Sequence, residues 1–123
     1  MAPLQSYQGL RVWQQAMLLA EICYRHTTVF PKDEFFGLTS QIRRAAASIP
    51  ANIAEGYGRG SRGAYTHFLR IAQGSCNELE THLLLASRVL GDVTARPEPV
   101  LKQADMVGKM LQGLIQSLRS GRL

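Results

Sequence analysis

Five arginines in the middle of the sequence are the residues whose types and spacing best suit chemistry. Over residues 43–70 only one carboxylate, Glu55, opposes them. Guanidinium groups form bidentate hydrogen bonds with phosphate, and aromatic side chains stack on nucleobases. The cluster predicts a surface that contacts RNA or DNA, with a solvated, ion-paired face as the alternative. The residues predicted to make the nucleic-acid contacts are Arg43, Arg59, Arg62, Arg70 and Tyr57.

A glycine-rich segment, GYGRGSRG at residues 56–63, lies inside this cluster. Alternating glycines before a helix N-terminus can present backbone N–H groups to an anion. The segment follows no predicted strand and lacks the lysine of a P-loop, so it does not indicate a nucleotide-binding motif. Two interpretations remain, a helix stop followed by a helix cap or a contact with an anion or nucleic acid.

Polar residues recur every three or four positions around Pro50, a spacing that places them on one helix face. In an antiparallel hairpin of the second and third helices, facing residue numbers sum to about 120, which places Arg44 near Glu78. By the same count Ser48 lies near Gly74, where we expect close backbone approach. We predict an Arg44–Glu78 ion pair, within one chain or between chains, with phosphate binding by Arg44 as the alternative. The polar stripe on the second helix consists of Arg44, Ser48, Asn52, Glu55 and Arg59. The predicted structural interface combines Arg44, Ser48, Asn52 and Glu55 with Glu78 of the third helix.

Residues that suit metal binding or catalysis are sparse. His82 lies one turn after Glu78, but a di-iron bundle needs a carboxylate-x-x-histidine motif on two helices. Cys23 and Cys76 have no histidine or acidic partner at a local spacing that would activate a thiol. We therefore predict a non-enzymatic protein with no catalytic residue, no metal site and no cofactor.

Length and composition limit the class of protein. The 123 residues suffice for one hydrophobic core, so we predict a single domain over residues 1–123. A hydrophobic content of 46% indicates a folded chain, and a net charge of +5 favours an acidic partner. The two cysteines, interpreted as buried free thiols, fit the reducing cytoplasm. No apolar run reaches the roughly 20 residues that a membrane span needs.

Apolar residues repeat at helical spacing throughout, and no alternating run predicts a strand. The first helix is expected at about residues 8–28, and the second ends in the glycine-rich segment. The third begins after a Ser61 cap and ends at Gly91, and the fourth runs from Pro97 to Gly121. Four amphipathic helices with short connections predict an all-α, up-down-up-down antiparallel four-helix bundle.

The apolar faces of the helices predict the core. Trp13 and Tyr24 are expected on a buried face of the first helix. The second helix, capped by Asp33, is expected to bury Phe35 and to kink at Pro50 among small alanines. The third helix contributes a seam of Tyr65, Phe68, Ala72, Cys76, Leu79, Leu83, Ala86 and Leu90. The fourth contributes Val100, Ala104, Val107, Leu111, Leu114 and Leu118.

Three segments of the chain together resemble a known family. They are LRVWQQA at residues 10–16, FPKDEFFGLTSQIRRAAASIPANIAEGYGR at residues 30–59 and FLRIAQGSCNELETHLLLA at residues 68–86. The family is usually called four-helix bundle proteins, and its members are often encoded in intervening sequences of bacterial large-subunit ribosomal RNA genes. Its members are similar to the accessory variability determinant of diversity-generating retroelements. The resemblance covers residues 10–90.

The resemblance implies an up-down four-helix bundle that assembles as a homopentameric barrel. For the retroelement relatives it also implies binding to nucleic acid and to a reverse transcriptase through a basic surface. The first helix carries two apolar strips, more than a lone bundle buries, which separately favours a homo-oligomer. We expect a non-enzymatic oligomeric scaffold that binds RNA or DNA. The alternative is a scaffold for a protein partner with no nucleic-acid role.

Overall fold

The computed structural model describes residues 6–121, and every regular element in this range is helical. The α-helices are α1 (Arg11–His26), α2 (Ser40–Gly58), α3 (Arg62–Leu90), α4 (Asp92–Ala95) and α5 (Glu98–Arg119). Short 3₁₀ turns lie at Tyr7–Gly9, Thr27–Val29 and Lys32–Glu34, and one wide turn, Phe35–Thr39, leads into α2. The prediction of an all-α chain is confirmed for the described residues.

The four long helices enclose one core. α2 packs against α1 and α3, and α5 packs against the same two helices from the other side. Burying a large aliphatic side chain contributes roughly 1.5–3 kcal/mol before the loss of entropy is subtracted. The largest fully buried aliphatic side chains are Leu19, Ile42, Ile49, Ile53, Leu69, Leu79, Leu83, Val100, Val107 and Leu111.

The predicted seams of the third and fourth helices are largely confirmed, with a shift of one residue at two places. Leu69 is fully buried, whereas its neighbour Phe68 is half-buried. Ile115 is buried in α5, whereas Leu114 only packs against the core. Adjacent helix positions differ by about 100° around the axis, so two neighbouring large apolar residues seldom point equally far into the core.

The predicted faces of the first two helices are wrong in part. Tyr24 is 48% exposed and Phe35 is 54% exposed, and Trp13 is half-buried. The face of α1 that meets the core consists of Val12, Ala16, Leu19, Ala20 and Cys23. The aromatic residues lie beside that face and leave an apolar surface uncovered between α1 and α2.

Helix ends follow local signals at most positions. The Oγ of Ser61 accepts a hydrogen bond of 3.2 Å from the amide of Ala64, which confirms the predicted cap of α3. Gly91 ends α3 at a φ of +86°, a conformation that glycine tolerates best. The Asp33 cap is wrong, because the carboxylate of Glu34 accepts the bond from the amide of Leu38 instead.

The close backbone approach between α2 and α3 occurs at Gly56. A Cβ atom on Gly56 would lie 2.7 Å from the Cβ of Phe68 and 3.2 Å from the carbonyl oxygen of Tyr65. A Cβ atom on Gly74 would meet nothing within 4 Å, so the expected close approach at Gly74 is wrong. The two helices therefore approach closely beside the turn that joins them, at Gly56 and not at Gly74.

Candidate nucleic-acid interface

The arginines at the α2–α3 turn are positioned by the ends of two helices. Arg59 follows the last residue of α2, Gly60 makes the turn at a φ of +80°, and Arg62 begins α3. Arg59 and Arg62 at this turn are exposed, and so is Arg70, which lies eight residues further along α3. The glycine-rich segment therefore stops α2 and caps α3. It also exposes arginine side chains to solvent, so the helix-stop interpretation is compatible with a contact to an anion or nucleic acid.

Arg59 is held by two neighbours. Its Nε and Nη2 atoms each lie 2.8 Å from Oε2 of Glu55, as expected for a carboxylate one turn before an arginine. Its guanidinium also lies over the ring of Phe68, 4.9 Å from the ring centre. The side chain stays 52% exposed, so it is pre-positioned for a further acceptor at little loss of conformational entropy.

Tyr57 packs against Tyr65 beside this turn, with ring centres 5.8 Å apart and an interplanar angle of 89°. Both residues are half-buried, although the sequence analysis places Tyr65 in the buried seam of the third helix and Tyr57 among the nucleic-acid contacts. The hydroxyl of Tyr65 is buried and has no hydrogen-bond partner among the described residues. Burial, and then the neighbouring Tyr57, raises the pKa of Tyr65 to about 12.

Arg43 belongs to a different part of the molecule. Its Nε donates to Oγ1 of Thr27 at 2.9 Å, and its Nη2 donates to the carbonyl oxygen of Tyr24 at 3.2 Å. Its guanidinium also lies 4.8 Å from the centre of the Tyr24 ring. Arg43 lies sixteen residues before Arg59, which is roughly 24 Å along a helix that rises 1.5 Å per residue. The predicted cluster therefore divides between the two ends of α2, and Arg70 lies further along α3.

The middle of the polar stripe joins α2 to α3 inside one chain. The Oγ atoms of Ser48 and Ser75 lie 2.8 Å apart, and Asn52 donates to both the carbonyl oxygen and the Oγ of Ser48. The predicted pair between Arg44 and Glu78 is not formed within the chain. In the described part of the chain, Glu78 lies 3.8 Å from His82, and Arg44 is exposed without an ion pair.

Two apolar surfaces were missed by the sequence analysis. A groove of about 600 Å³ runs between α1 and α2, where Trp13, Met17 and Tyr24 face the alanines around Pro50. A smaller pocket of about 360 Å³ lies at the start of α2. Its lining residues are Tyr24, Phe35, Phe36, Thr39, Ser40, Arg43 and Arg44. The doublet of Phe35 and Phe36 was the available signal, because two adjacent large aromatic side chains at helical spacing differ by about 100° in direction and seldom both reach the core.

The residues considered for catalysis lie apart from these surfaces. Cys23 and Cys76 are free and buried, and burial raises the pKa of each thiol to about 12. The statement that Cys76 has no acidic neighbour at local spacing is wrong, because Glu80 lies one turn later and raises the pKa of this thiol further instead of activating it. Both thiols therefore stay protonated at neutral pH. Within residues 6–121 no three His, Cys, Asp or Glu side chains come together as metal ligands, and no helix has the length and apolar character to cross a bilayer.

The fold and the positions of the arginines can be compared with known proteins. A family model described as 23S rRNA-intervening sequence protein matches residues 8–113. The chain belongs to this family. The resemblance to proteins of ribosomal RNA intervening sequences is thus confirmed, and the matched span of the 23S rRNA-intervening sequence protein family includes both groups of arginines.

A solved structure is similar over most of the chain. It is the crystal structure of a protein of unknown function from the S23 ribosomal protein family of Bacteroides thetaiotaomicron. The two chains are 25% identical with a TM-score of 0.77, and the similarity covers 85% of this chain and 95% of that one. No curated protein matches the chain.

Proposed function

We propose that this member of the 23S rRNA-intervening sequence protein family is a non-enzymatic oligomeric helical scaffold that binds RNA or another nucleic acid through its arginine-rich surface. The observation that carries the proposal is the exposure of Arg59 and Arg62 at the α2–α3 turn and of Arg70 eight residues further along α3, opposed over residues 55–70 by Glu55 alone. Guanidinium groups clustered on an exposed surface favour contacts with phosphate.

The proposal includes an up-down-up-down arrangement of the four long helices and a kink of α2 at Pro50. Three contacts support antiparallel neighbours. Arg43 at the start of α2 bonds to Tyr24 at the end of α1, and His26 at the end of α1 bonds to Ala95 just before α5. Gln103, one turn into α5, donates to Gln15 in α1. Pro50 lacks an N–H, so it cannot donate to the carbonyl of Ala46, which favours a bend there.

The proposal also includes a homo-oligomer, with five copies as the number that the family resemblance implies. The groove between α1 and α2 is apolar, and a second apolar patch, formed by Leu84, Leu85 and Val89, is exposed on α3. Two different apolar patches on one chain suit a head-to-tail interface, which closes into a ring when the rotation allows it. The two buried thiols suit a reducing cytoplasm as the site of action.

Light scattering tests the assembly. Ala51→Glu would place a charge in the groove and should reduce the mass of the particle toward that of one chain. Gln116→Glu, which places the same charge at an exposed position of α5, is the matched control and should leave the mass unchanged. A wild-type monomer at micromolar concentration would refute the oligomer.

Salt titration tests the binding of nucleic acid. Log affinity should fall linearly with log salt, with a slope of about −0.7 per phosphate contact for single strands and −0.9 for duplex DNA. Arg59→Glu combined with Arg62→Glu should weaken binding and make the slope shallower. A charge-matched control combines Arg88→Glu with Lys102→Glu and should keep most of the affinity. The absence of salt-dependent binding to any RNA or DNA tested would refute the proposal.

A scaffold for a protein partner is the second candidate. The uncovered groove with Trp13, Met17 and Tyr24 favours it, since exposed apolar patches with aromatic residues typify protein interfaces. A partner bound there would be captured equally well at low and high salt, and Ala51→Glu would prevent its binding. Arg59→Glu with Arg62→Glu would leave such binding unchanged, which separates the two functions.

A further inference from the structure

An aromatic pocket lies at the start of α2, far from the arginines of the α2–α3 turn. Its volume is about 360 Å³, near the lower end of the roughly 300–1,000 Å³ that is typical of ligand sites. Three aromatic side chains line it and are exposed to solvent, with Phe36 at 89%, Phe35 at 54% and Tyr24 at 48%. Single exposed apolar residues are common on protein surfaces, whereas a contiguous cluster such as these three aromatic side chains indicates an interaction site.

The local backbone holds the two phenylalanines outward. The carboxylate of Glu34 accepts a hydrogen bond of 3.2 Å from the amide of Leu38, and this bond spans the wide turn. Gly37, at φ −105° and ψ −111°, departs from helical geometry, and a Cβ atom there would lie 2.7 Å from Oε1 of Glu34. The next residue, Leu38, is buried and anchors the turn to the core. The exposure of the aromatic pair is therefore set by specific contacts.

The pocket combines ring faces with positive charge. Phe35 and Phe36 pack edge to face, with ring centres 5.0 Å apart. Arg43 is fixed over the ring of Tyr24, and Arg44 is exposed with no ion pair among the described residues. No carboxylate lines the pocket. Aromatic rings can stack on a nucleobase, and a guanidinium without an ion pair can bind the phosphate linked to that base.

We propose that this pocket binds unpaired bases of single-stranded nucleic acid, with Phe36 and Phe35 stacking on bases and Arg44 contacting a phosphate. Every base has a π-face, so stacking on aromatic side chains tolerates any sequence. In a duplex the faces are covered by neighbouring base pairs, so the pocket discriminates against paired RNA. The inference rests on the nucleic-acid part of the proposed function, and it adds a second contact site and a preference for unpaired strands.

Fluorescence provides the test. The probe is a fifteen-nucleotide oligouridine with one central 2-aminopurine, whose emission falls when it stacks, and an RNA hairpin stem serves as the duplex probe. The wild type should quench the single-stranded probe and bind it more tightly than the stem. Phe36→Ala should weaken binding of the single strand roughly tenfold and remove the quenching, while binding of the stem stays unchanged. Arg44→Gln should weaken binding but keep the quenching.

Two variants control for surface and fold. Val93 is 90% exposed in α4, so Val93→Ala removes a matched exposed apolar side chain and should change nothing. Phe36→Tyr keeps a stacking ring and should bind as the wild type does. Because Phe36 is 89% exposed, the melting temperature of Phe36→Ala should equal that of the wild type.

The outcomes separate this inference from the proposed function. If the wild type binds RNA and Phe36→Ala binds and quenches equally well, the pocket is not a binding site, while the proposed function stands. If Phe36→Ala leaves RNA binding intact but lowers the mass of the oligomer, the aromatic pair is a contact between copies and the inference is wrong. If Phe36→Ala loses binding but Arg59→Glu with Arg62→Glu does not, the inference holds and the proposed surface is misplaced. Failure of the wild type to bind either probe refutes both.

Discussion

The Oγ atoms of Ser48 and Ser75 lie 2.8 Å apart, so a hydrogen bond between two hydroxyls links α2 to α3. Ser75 is buried, and the Nδ2 of Asn52 lies 2.8 Å from the carbonyl oxygen and 3.0 Å from the Oγ of Ser48. These groups satisfy one another in a packed helix crossing, where an unpaired polar atom would be costly. The centre of the polar stripe thus has a structural role within the chain.

Replacing Ser48 by alanine leaves the hydroxyl of Ser75 buried without this partner. We expect Ser48→Ala to lower the free energy of unfolding by about 1–3 kcal/mol, measured by urea denaturation. The variant with both Ser48→Ala and Ser75→Ala should lose less than the sum of the two single losses, because the orphaned hydroxyl is removed. Strictly additive losses would contradict the bond.

Gly56→Ala and Gly74→Ala form a matched pair in adjacent helices. At Gly56 the new Cβ would lie 2.7 Å from the Cβ of Phe68, and such overpacking costs about 1–3 kcal/mol. At Gly74 nothing lies within 4 Å, so alanine should stabilise the helix by up to about 1 kcal/mol. The melting temperature should therefore fall for Gly56→Ala and rise for Gly74→Ala. A change of the same sign in both variants would contradict a close approach of the helices at Gly56.

Arg43 and Arg44 are adjacent but differ in their contacts. Arg43→Ala removes hydrogen bonds to Thr27 and Tyr24, and we expect a loss of about 1–2 kcal/mol in the free energy of unfolding. Arg44→Ala, at an exposed position, should stay within about 0.5 kcal/mol of the wild type. If light scattering shows that Arg44→Ala also fails to assemble, the pair predicted with Glu78 lies between chains.

Glu80 predicts a pH dependence of stability. Burial, and then the charge of Asp105, raises the pKa of Glu80. The folded state therefore binds this proton more tightly than the unfolded state, and stability falls as pH rises through the two pKa values. Glu80→Gln should raise the melting temperature at pH 7 and have little effect below about pH 4, where the unfolded glutamate also gains its proton. Calorimetry at several pH values measures this, and a gain that is equal at every pH would indicate a change in packing.

The helices and several of their ends follow from local sequence signals. Ser61 before α3 and Gly91 after it act through their own backbone and side-chain geometry, so the sequence identifies them without knowledge of the fold. The apolar repeat of α3 and α5 predicts which faces are buried. It does not predict which of two adjacent apolar residues points inward. The sequence therefore predicts Phe68 in the core, whereas Leu69 is the buried residue.

The candidate site could be predicted only in part, because tertiary contacts decide the role of each arginine. Arg59 and Arg62 lie together because one short turn separates them. Arg43 donates hydrogen bonds to Thr27 and Tyr24 at the end of α1, and these bonds depend on the packing of α1 against α2. The outward position of Phe35 and Phe36 likewise depends on the Glu34 bond across the wide turn, which a helical repeat does not reveal.

The attachment of Arg43 to the last turn of α1 couples two segments that are distant in the chain. Thr27 accepts from Arg43 while its own hydroxyl donates to the carbonyl of Cys23 at 2.8 Å, so one guanidinium closes the C-terminal end of α1. We expect fraying of that turn to loosen the start of α2 as well, because Arg43 loses its acceptors there. The amides around Tyr24 and around Arg43 should therefore exchange their hydrogens with deuterium as one cooperative unit.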